Sequence, residues 1–160
     1  MNSEIDLLAF AAVENLKAAG LTVCTAESCT GGMISAAMVD ISGASSVVRG
    51  GFVTYQTDTK TLLVDGPAKT IEDCNVVSAE VALAMAKGAR SKLDTDIAVS
   101  ATGLAGPDGG TPEKPVGTVW MAVATPTKRF AIMRNSGTDR GQITSRASAY
   151  AIELLYNELK

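Results

Sequence analysis

The chain has 160 residues, of which 46% are hydrophobic and 19% charged, and its formal net charge at pH 7 is −3. This composition is typical of a folded globular protein and excludes extensive disorder. Because the lysines and arginines are scattered along the chain, the basic block that marks many nucleic-acid-binding proteins is missing, and no nucleic-acid partner is expected.

The first predicted element is an amphipathic helix over residues 3–19, which ends at Gly20. Its apolar stripe consists of Ile5, Leu8, Ala12 and Leu16. The elements that follow in chain order are a strand at 21–26, a helix at 33–40, a strand at 50–55, a short helix at 57–63, a helix at 78–91 and a strand at 96–103. Two further strands at 118–125 and 128–135 form a predicted hairpin around Pro126.

The last predicted element is a helix over residues 139–158. Its inward-facing residues are predicted to be Ile143, Ala147, Tyr150, Ala151, Leu154 and Leu155. Taken together, the elements predict an α/β fold: a single three-layer domain over residues 1–160, with a mixed β-sheet and helices on both faces. The near-continuous apolar run at 96–103 predicts a central strand.

The cysteine and histidine content limits the possible metal sites, and the N-terminal sequence indicates the location of the protein. Cys24, Cys29 and Cys74 lack the spacing of a disulfide framework or a zinc site, and the chain has no histidine, so no metal is expected. Free thiols favour a reducing compartment. No apolar stretch approaches the roughly 18 residues needed to span a bilayer, and Glu4 and Asp6 stand where a signal peptide would be basic. A cytoplasmic protein without a membrane partner is therefore expected.

Three polar clusters follow predicted strands, at residues 27–32, 55–60 and 102–110. In sheets of this kind, ligands gather at the carboxyl ends of the strands. The third cluster is rich in glycine but lacks the lysine of a P-loop and the spacing of a dinucleotide fingerprint. Its length within a small domain favours a functional loop over a plain surface loop, although both interpretations remain open.

The first cluster, "TAESCTGG" at 25–32, places backbone amides and Thr30 at a helix N-terminus, where an anion is favoured. The simpler interpretation is that Ser28 or Thr30 is only an N-cap. Gly31 and Gly32 would each weaken a helix start, and close approach of the backbone to a ligand would explain them.

The clusters also contain candidate nucleophiles, but the chain has no histidine to act as their base. A lysine whose pKa is depressed by burial can take that role. Lys60 is the candidate base, with Lys114 at the far edge of the glycine loop as the other lysine nearby. Ser28 competes with Cys29 as nucleophile, and Thr57 is a further competitor because it lies three residues before Lys60 on a helical face.

Four motifs carry a family resemblance in their order and spacing. They are "TAESCTGG", "GGFVTY" followed five residues on by Lys60, "SATGLAGPDGGTPEKPVGTVW" and "SGTDR" at the start of the last helix. Together they resemble the CinA C-terminal-domain family from about residue 5 to residue 158. The chain looks like the stand-alone form of that family.

This resemblance implies a nicotinamide-nucleotide amidohydrolase, which converts nicotinamide mononucleotide to nicotinate mononucleotide and ammonia without a cofactor. It implies Ser28 as nucleophile, Lys60 as base, and Tyr55 and Thr102 as further catalytic residues. The implied substrate-binding residues are Thr30, Gly31, Gly32, Gly103, Gly106 and Arg140. Arginine at a helix N-terminus suits a phosphate. A homo-oligomer is also expected, with a dimer favoured over other forms.

Two other functions remain as alternatives: a nucleotide-binding sensor without turnover, and an interaction protein associated with competence. The scattered charges argue against the interaction protein, and the presence of Ser28 and Lys60 argues against the sensor. Glu27 has two open roles at this stage, since its carboxylate can face the pyridinium ring of the substrate or cap the loop.

Overall fold

The computed structural model describes residues 3–160, and its framework is a five-stranded mixed sheet. The strands are β1 Val23–Glu27, β2 Val48–Val53, β3 Ile97–Gly103, β4 Thr118–Ala124 and β5 Arg129–Asn135. Their order across the sheet is β2-β1-β3-β4-β5. β1 pairs parallel with β2 and β3, whereas β4 is antiparallel to both of its neighbours. The carboxyl ends of β1, β2 and β3 therefore lie along one edge of the sheet.

Helices cover both faces of this sheet. They are α1 Glu4–Ala19, α2 Met33–Val39, α3 Thr57–Val64, α4 Ala68–Cys74, α5 Ala79–Leu93 and α6 Arg140–Glu158, with a 3-10 turn at Ala44–Ser46. One apolar core lies between the sheet and α1, α2 and α6. The second core lies between the opposite face and α5, with Val64 of α3 at its border. The α/β class, the three layers and the mixed sheet are as predicted.

β3 occupies the middle of the sheet, as its apolar run predicts. Successive side chains of a strand point to opposite faces. Val99 accordingly packs in the core beneath α1 and α6, while Ala98 packs in the core beneath α5. Burial on both faces explains why this strand reads as a continuous hydrophobic run.

The first helix shows how local sequence fixes an element's ends. Ser3 caps its N-terminus by accepting a hydrogen bond from the Asp6 amide, and the Asp6 side chain accepts one from the Ser3 amide. Gly20 ends it in a left-handed conformation with φ of 67°. The predicted stripe faces the core, with Ala12 and Leu16 fully buried and Ile5 and Leu8 partly buried against it, and the buried face also includes Ala9 and Val13.

Three further details differ from the sequence prediction. Helix α4 was not predicted, because it buries no residue and so shows no apolar stripe. β2 begins two residues earlier than predicted, at Val48, and ends at Val53. On α6, Tyr150 is only partly buried, with the Arg134 guanidinium 4.6 Å from the centre of its ring, while Ile152 is fully buried.

Residues 1 and 2 of the predicted 1–160 domain lie outside the described residues. Among the helices described between residues 3 and 160, none has the length and hydropathy required to cross a bilayer.

Candidate active site

A pocket of about 280 Å³ opens at the edge where the parallel strands end. It is lined by seven of the ten predicted site residues: Ser28, Tyr55, Lys60, Thr102, Gly103, Gly106 and Arg140. Thr30, Gly31 and Gly32 are outside this lining. A larger cavity of about 780 Å³ lies between α3 and α4 and shares Thr57 with the pocket, but Ser28 and Lys60 do not line it. The smaller pocket is therefore the candidate site.

Ser28 and Lys60 form a buried pair at the floor of the pocket. The Lys60 amine lies 3.0 Å from the Ser28 hydroxyl and also donates to the carbonyl of Thr54 at 2.6 Å. The Lys60 residue is 1% exposed and Ser28 is 8% exposed. Lys60 lies on the buried face of α3, one turn before Val64, which packs in the core with α5.

Burial sets the protonation of this pair and of its neighbour. It lowers the pKa of the Lys60 ammonium from its ordinary value, since a charged amine loses its solvation inside the protein. Burial raises the pKa of the Cys29 thiol to about 11, so this thiol stays protonated at neutral pH. Among the described residues, the Lys60 amine has no hydrogen bond to Cys29 or Thr57. The geometry therefore favours Ser28 over both competitors.

Glu27 caps the turn that carries Ser28. Its side chain is fully buried, and Oε2 accepts hydrogen bonds from the Thr30 hydroxyl and from the amides of Gly32 and Ile34. Oε1 accepts from the amide and the hydroxyl of Ser35. Glu27 does not line the pocket. Its carboxylate therefore caps the start of α2 and does not face a pyridinium ring in the pocket.

The same turn explains its two glycines. Gly31 and Gly32 have φ of 61° and 100°, a left-handed conformation that side chains other than glycine rarely adopt. Backbone conformation thus accounts for both, without the close ligand approach proposed from the sequence. Within residues 3–160, the amides of Cys29 and Thr30 donate to no other residue, although the Cys29 amide donates to its own thiol. Cys29 lines the pocket and Thr30 lies next to it in the same turn, so these two amides are the backbone donors beside Ser28 that no other described residue engages.

Arg140 lies at the mouth of the pocket, at the first residue of α6. Its guanidinium donates to the carbonyl of Gly106 at 2.6 Å and to the Tyr55 hydroxyl at 3.0 Å. Tyr55 is 57% exposed. The pair bridges the glycine loop and the segment after β2, so Tyr55 lies with Arg140 and makes no hydrogen bond to Ser28 or Lys60 in the described chain.

Thr102 and Lys114 hold the side wall of the pocket. The Thr102 hydroxyl donates to the carbonyl of Val76 at 2.8 Å, and the Lys114 amine donates to the carbonyl of Val77 at 2.8 Å. The Lys114 amine thus bonds a backbone carbonyl of the pocket wall, and the lysine that contacts the Ser28 hydroxyl is Lys60. Val76 and Val77 were not predicted as lining residues, since they lie just before the α5 cap with no chemical signature.

The two predicted glycines of the third cluster meet different constraints. A Cβ on Gly103 would lie 2.7 Å from the Thr118 carbonyl oxygen, so close pairing with β4 requires glycine there. Gly106 has φ of 73° and presents its carbonyl to Arg140. Asp108, from the same loop, also lines the pocket and brings a carboxylate to its mouth. It was not predicted as a site residue.

No group of three or more histidine, cysteine, aspartate or glutamate side chains suited to a metal occurs among residues 3–160. The expectation that no metal takes part stays a prediction.

Comparison with known proteins identifies relatives over nearly the whole chain. A sequence model of the CinA C-terminal domain matches residues 6–159. The chain is 42% identical over 159 residues to a protein named nicotinamide-nucleotide amidohydrolase PncC from Escherichia coli (strain K12), covering 98% of this chain and 96% of that one. It is 46% identical over 143 residues to a CinA-like protein from Geotalea daltonii, covering 89% of this chain and 35% of the relative. The chain thus spans about a third of the length of that longer relative.

Solved structures share the fold throughout. The competence/damage inducible protein CihA from Agrobacterium tumefaciens superposes with a TM-score of 0.94 at 37% identity, covering 99% of this chain and 97% of that one. A CinA superfamily protein from Escherichia coli superposes with a TM-score of 0.92 at 30% identity, covering 98% and 92%.

Proposed function

The chain belongs to the CinA C-terminal domain family, and on that premise we propose that it hydrolyses the carboxamide of nicotinamide mononucleotide to nicotinate mononucleotide and ammonia. The observation that carries the proposal is the 3.0 Å contact between the Ser28 hydroxyl and the buried Lys60 amine. A hydroxyl paired with an amine of lowered pKa is a nucleophile with its base. The name of the Escherichia coli relative supports the substrate.

In the first step, the Ser28 oxygen attacks the carboxamide carbon while the neutral Lys60 amine accepts the hydroxyl proton. The short contact between these two groups lets the proton pass directly. The carbonyl oxygen becomes an oxyanion, and the amides of Cys29 and Thr30, from which no other described residue accepts a hydrogen bond, are the donors proposed to stabilise it.

In the second step, the Lys60 ammonium returns its proton to the amide nitrogen. The carbon–nitrogen bond breaks, ammonia leaves, and the acyl group remains as an ester on Ser28. A water molecule then attacks the ester carbon as Lys60 accepts its proton. Collapse of this intermediate releases the carboxylic acid and returns the proton to the Ser28 oxygen. The same lysine serves in both halves, because its pocket favours the neutral amine.

The other end of the substrate is assigned to the mouth of the pocket. Arg140 offers a planar set of donors that suits a phosphate, and only part of that set is used by Gly106 and Tyr55. We propose that Tyr55 acts there with Arg140 in binding. Thr102 is proposed to shape the wall through Val76, since its hydroxyl bonds that carbonyl.

We further propose that the protein acts in the cytoplasm, as a homo-oligomer, and without metal or cofactor. Three free cysteines, two of them buried, suit a reducing compartment.

The test is an ammonia-release assay on purified, metal-stripped protein with nicotinamide mononucleotide, free nicotinamide and the corresponding nucleoside as substrates. We expect turnover of the mononucleotide, much weaker turnover of the two compounds that lack the phosphate, and no effect of EDTA. Binding of the mononucleotide without ammonia release would instead support a sensor, and dependence on added metal would contradict the mechanism.

A further inference from the structure

The residue immediately before Ser28 is a buried glutamate that the proposed mechanism does not use. Glu27 ends β1, is fully buried, and lies behind the turn that projects Ser28 into the pocket. An isolated carboxylate in such a position is costly unless its oxygens are hydrogen-bonded. Its five hydrogen bonds satisfy this requirement.

These hydrogen bonds cap the N-terminus of α2, which has no side-chain cap of its own. The N-cap residue of α2 is Gly32, which has no side chain to accept from the first turn. Glu27 reaches across the turn and accepts from three backbone amides, those of Gly32, Ile34 and Ser35. The first turn of α2 is thereby fixed by a residue of the neighbouring strand.

The same carboxylate also holds the Ser28 turn itself. Oε2 binds the Thr30 hydroxyl at 2.7 Å and the Gly32 amide at 3.1 Å, so two points of the turn meet at one oxygen. The Ser28 amide donates to Ala101 at 2.9 Å, and the Ser28 carbonyl accepts from Gly31 at 3.0 Å. With those groups engaged, the amides of Cys29 and Thr30 are the ones in the turn that donate to no other described residue, and they are the pair proposed to bind the oxyanion.

We propose that Glu27 is a positioning residue: it holds the turn 28–32 so that the Ser28 hydroxyl meets Lys60 and the amides of Cys29 and Thr30 stay free for the oxyanion. It acts through the turn, since its side chain does not line the pocket. The inference rests on the proposed function for the roles of Ser28, Lys60 and the two amides, and for the substrate used to measure them.

The test is Glu27→Gln, which keeps size and shape but turns one acceptor oxygen into a donor. If the new NH₂ group takes the place of Oε1, it faces the Ser35 amide, which is also a donor. If it takes the place of Oε2, it faces the amides of Gly32 and Ile34. Loss of one oxyanion donor costs about 10²- to 10³-fold in kcat. We therefore expect kcat to fall about 10²-fold, with KM within about threefold because Arg140 is untouched. Glu14→Gln, a change at a surface carboxylate paired with Lys17, is the matched control and should leave both constants unchanged.

A second readout does not depend on the mononucleotide. The rate at which a serine-directed fluorophosphonate labels Ser28 should fall at least about tenfold in Glu27→Gln, because labelling needs the same nucleophile and oxyanion geometry. If the wild-type protein labels but does not release ammonia, the proposed function fails while this readout still decides the role of Glu27. A wild-type labelling rate in a folded Glu27→Gln would overturn the inference.

Thr30→Val decides the matter if Glu27→Gln does not fold. It removes one hydrogen bond to Glu27 and preserves the Thr30 amide and side-chain shape. We expect a lower kcat and a slower labelling rate, each by about three- to tenfold, with KM unchanged. An unchanged kcat and labelling rate would contradict positioning. A raised KM alone would also contradict it and would assign the Thr30 hydroxyl to substrate binding.

Discussion

Replacement of Lys60 by arginine distinguishes two possible roles of this residue, a base that accepts a proton and a fixed positive charge. Lys60 is 1% exposed as a residue, and its amine lies between two oxygens, the Ser28 hydroxyl at 3.0 Å and the Thr54 carbonyl at 2.6 Å. Arginine keeps the charge but does not lose its proton in proteins. Lys60→Arg therefore retains the electrostatics of an ammonium and loses the only proton acceptor that contacts Ser28 in the described chain.

The expected loss follows from this geometry. General-base catalysis contributes about 10²- to 10⁴-fold, and here the base also protonates the leaving ammonia. We expect kcat to fall about 10³-fold or more, roughly 4 kcal/mol of transition-state stabilisation. Lys60→Met, which removes the amine but keeps much of the stem, should lose a similar amount.

The wild-type pH profile carries a second part of the same prediction. Because burial lowers the pKa of Lys60, the amine takes up a proton only when the pH falls below that lowered value. The kcat/KM should therefore decline on the acid side, and ammonia release measured from about pH 5 to 9 should show this limb. Recovery of a substantial share of the rate by arginine, or a wild-type profile without an acid limb, would refute Lys60 as the base.

Two further predictions concern the mouth of the pocket and the stability of the fold. Arg140→Ala should raise KM for the mononucleotide about 10- to 10²-fold, the value of a hydrogen bond to a charged group, and leave the nucleoside nearly unaffected; equal losses on both substrates would place Arg140 off the phosphate. The pKa of Lys60 is lower in the folded than in the unfolded chain, so between these two values the unfolded state binds more protons and wild-type stability rises with pH. Urea melts across this window should show the wild type gaining stability relative to Lys60→Met as pH increases, and a pH-independent difference would contradict the lowered pKa.

Much of the fold could be predicted because the spacing of hydrophobic residues along the chain indicates which segments are helices and which are strands. The run at 97–103 is buried on both faces, and the alternation of helices and strands indicates three layers. Convergence of the polar clusters then follows from parallel pairing of β1 with β2 and β3, which puts three strand ends on one edge. Helix α4 could not be found in this way, since a helix without a buried residue has no hydrophobic period.

The details of the site lie beyond such patterns. Spacing alone did not decide between Lys60 and Lys114, because that choice depends on which helix or loop turns each amine toward Ser28. The two roles left open for Glu27 are separated by the folded structure, in which the amides of Gly32, Ile34 and Ser35 donate to its carboxylate. The resemblance implies Tyr55 as a catalytic residue, but it does not reveal that the Tyr55 hydroxyl accepts a hydrogen bond from Arg140 at the solvent-exposed side of the pocket.

Ammonia release from nicotinamide mononucleotide by a matched pair of variants at adjacent positions tests the central claim most directly. Ser28→Ala removes the hydroxyl that contacts the Lys60 amine. Cys29→Ala removes a buried thiol whose pKa is raised to about 11. We predict that the serine variant loses at least about 10³-fold in kcat while still binding the mononucleotide, and that the cysteine variant stays within about tenfold of the wild type. An active Ser28→Ala beside an inactive Cys29→Ala would contradict the account, because it would place the nucleophile on Cys29.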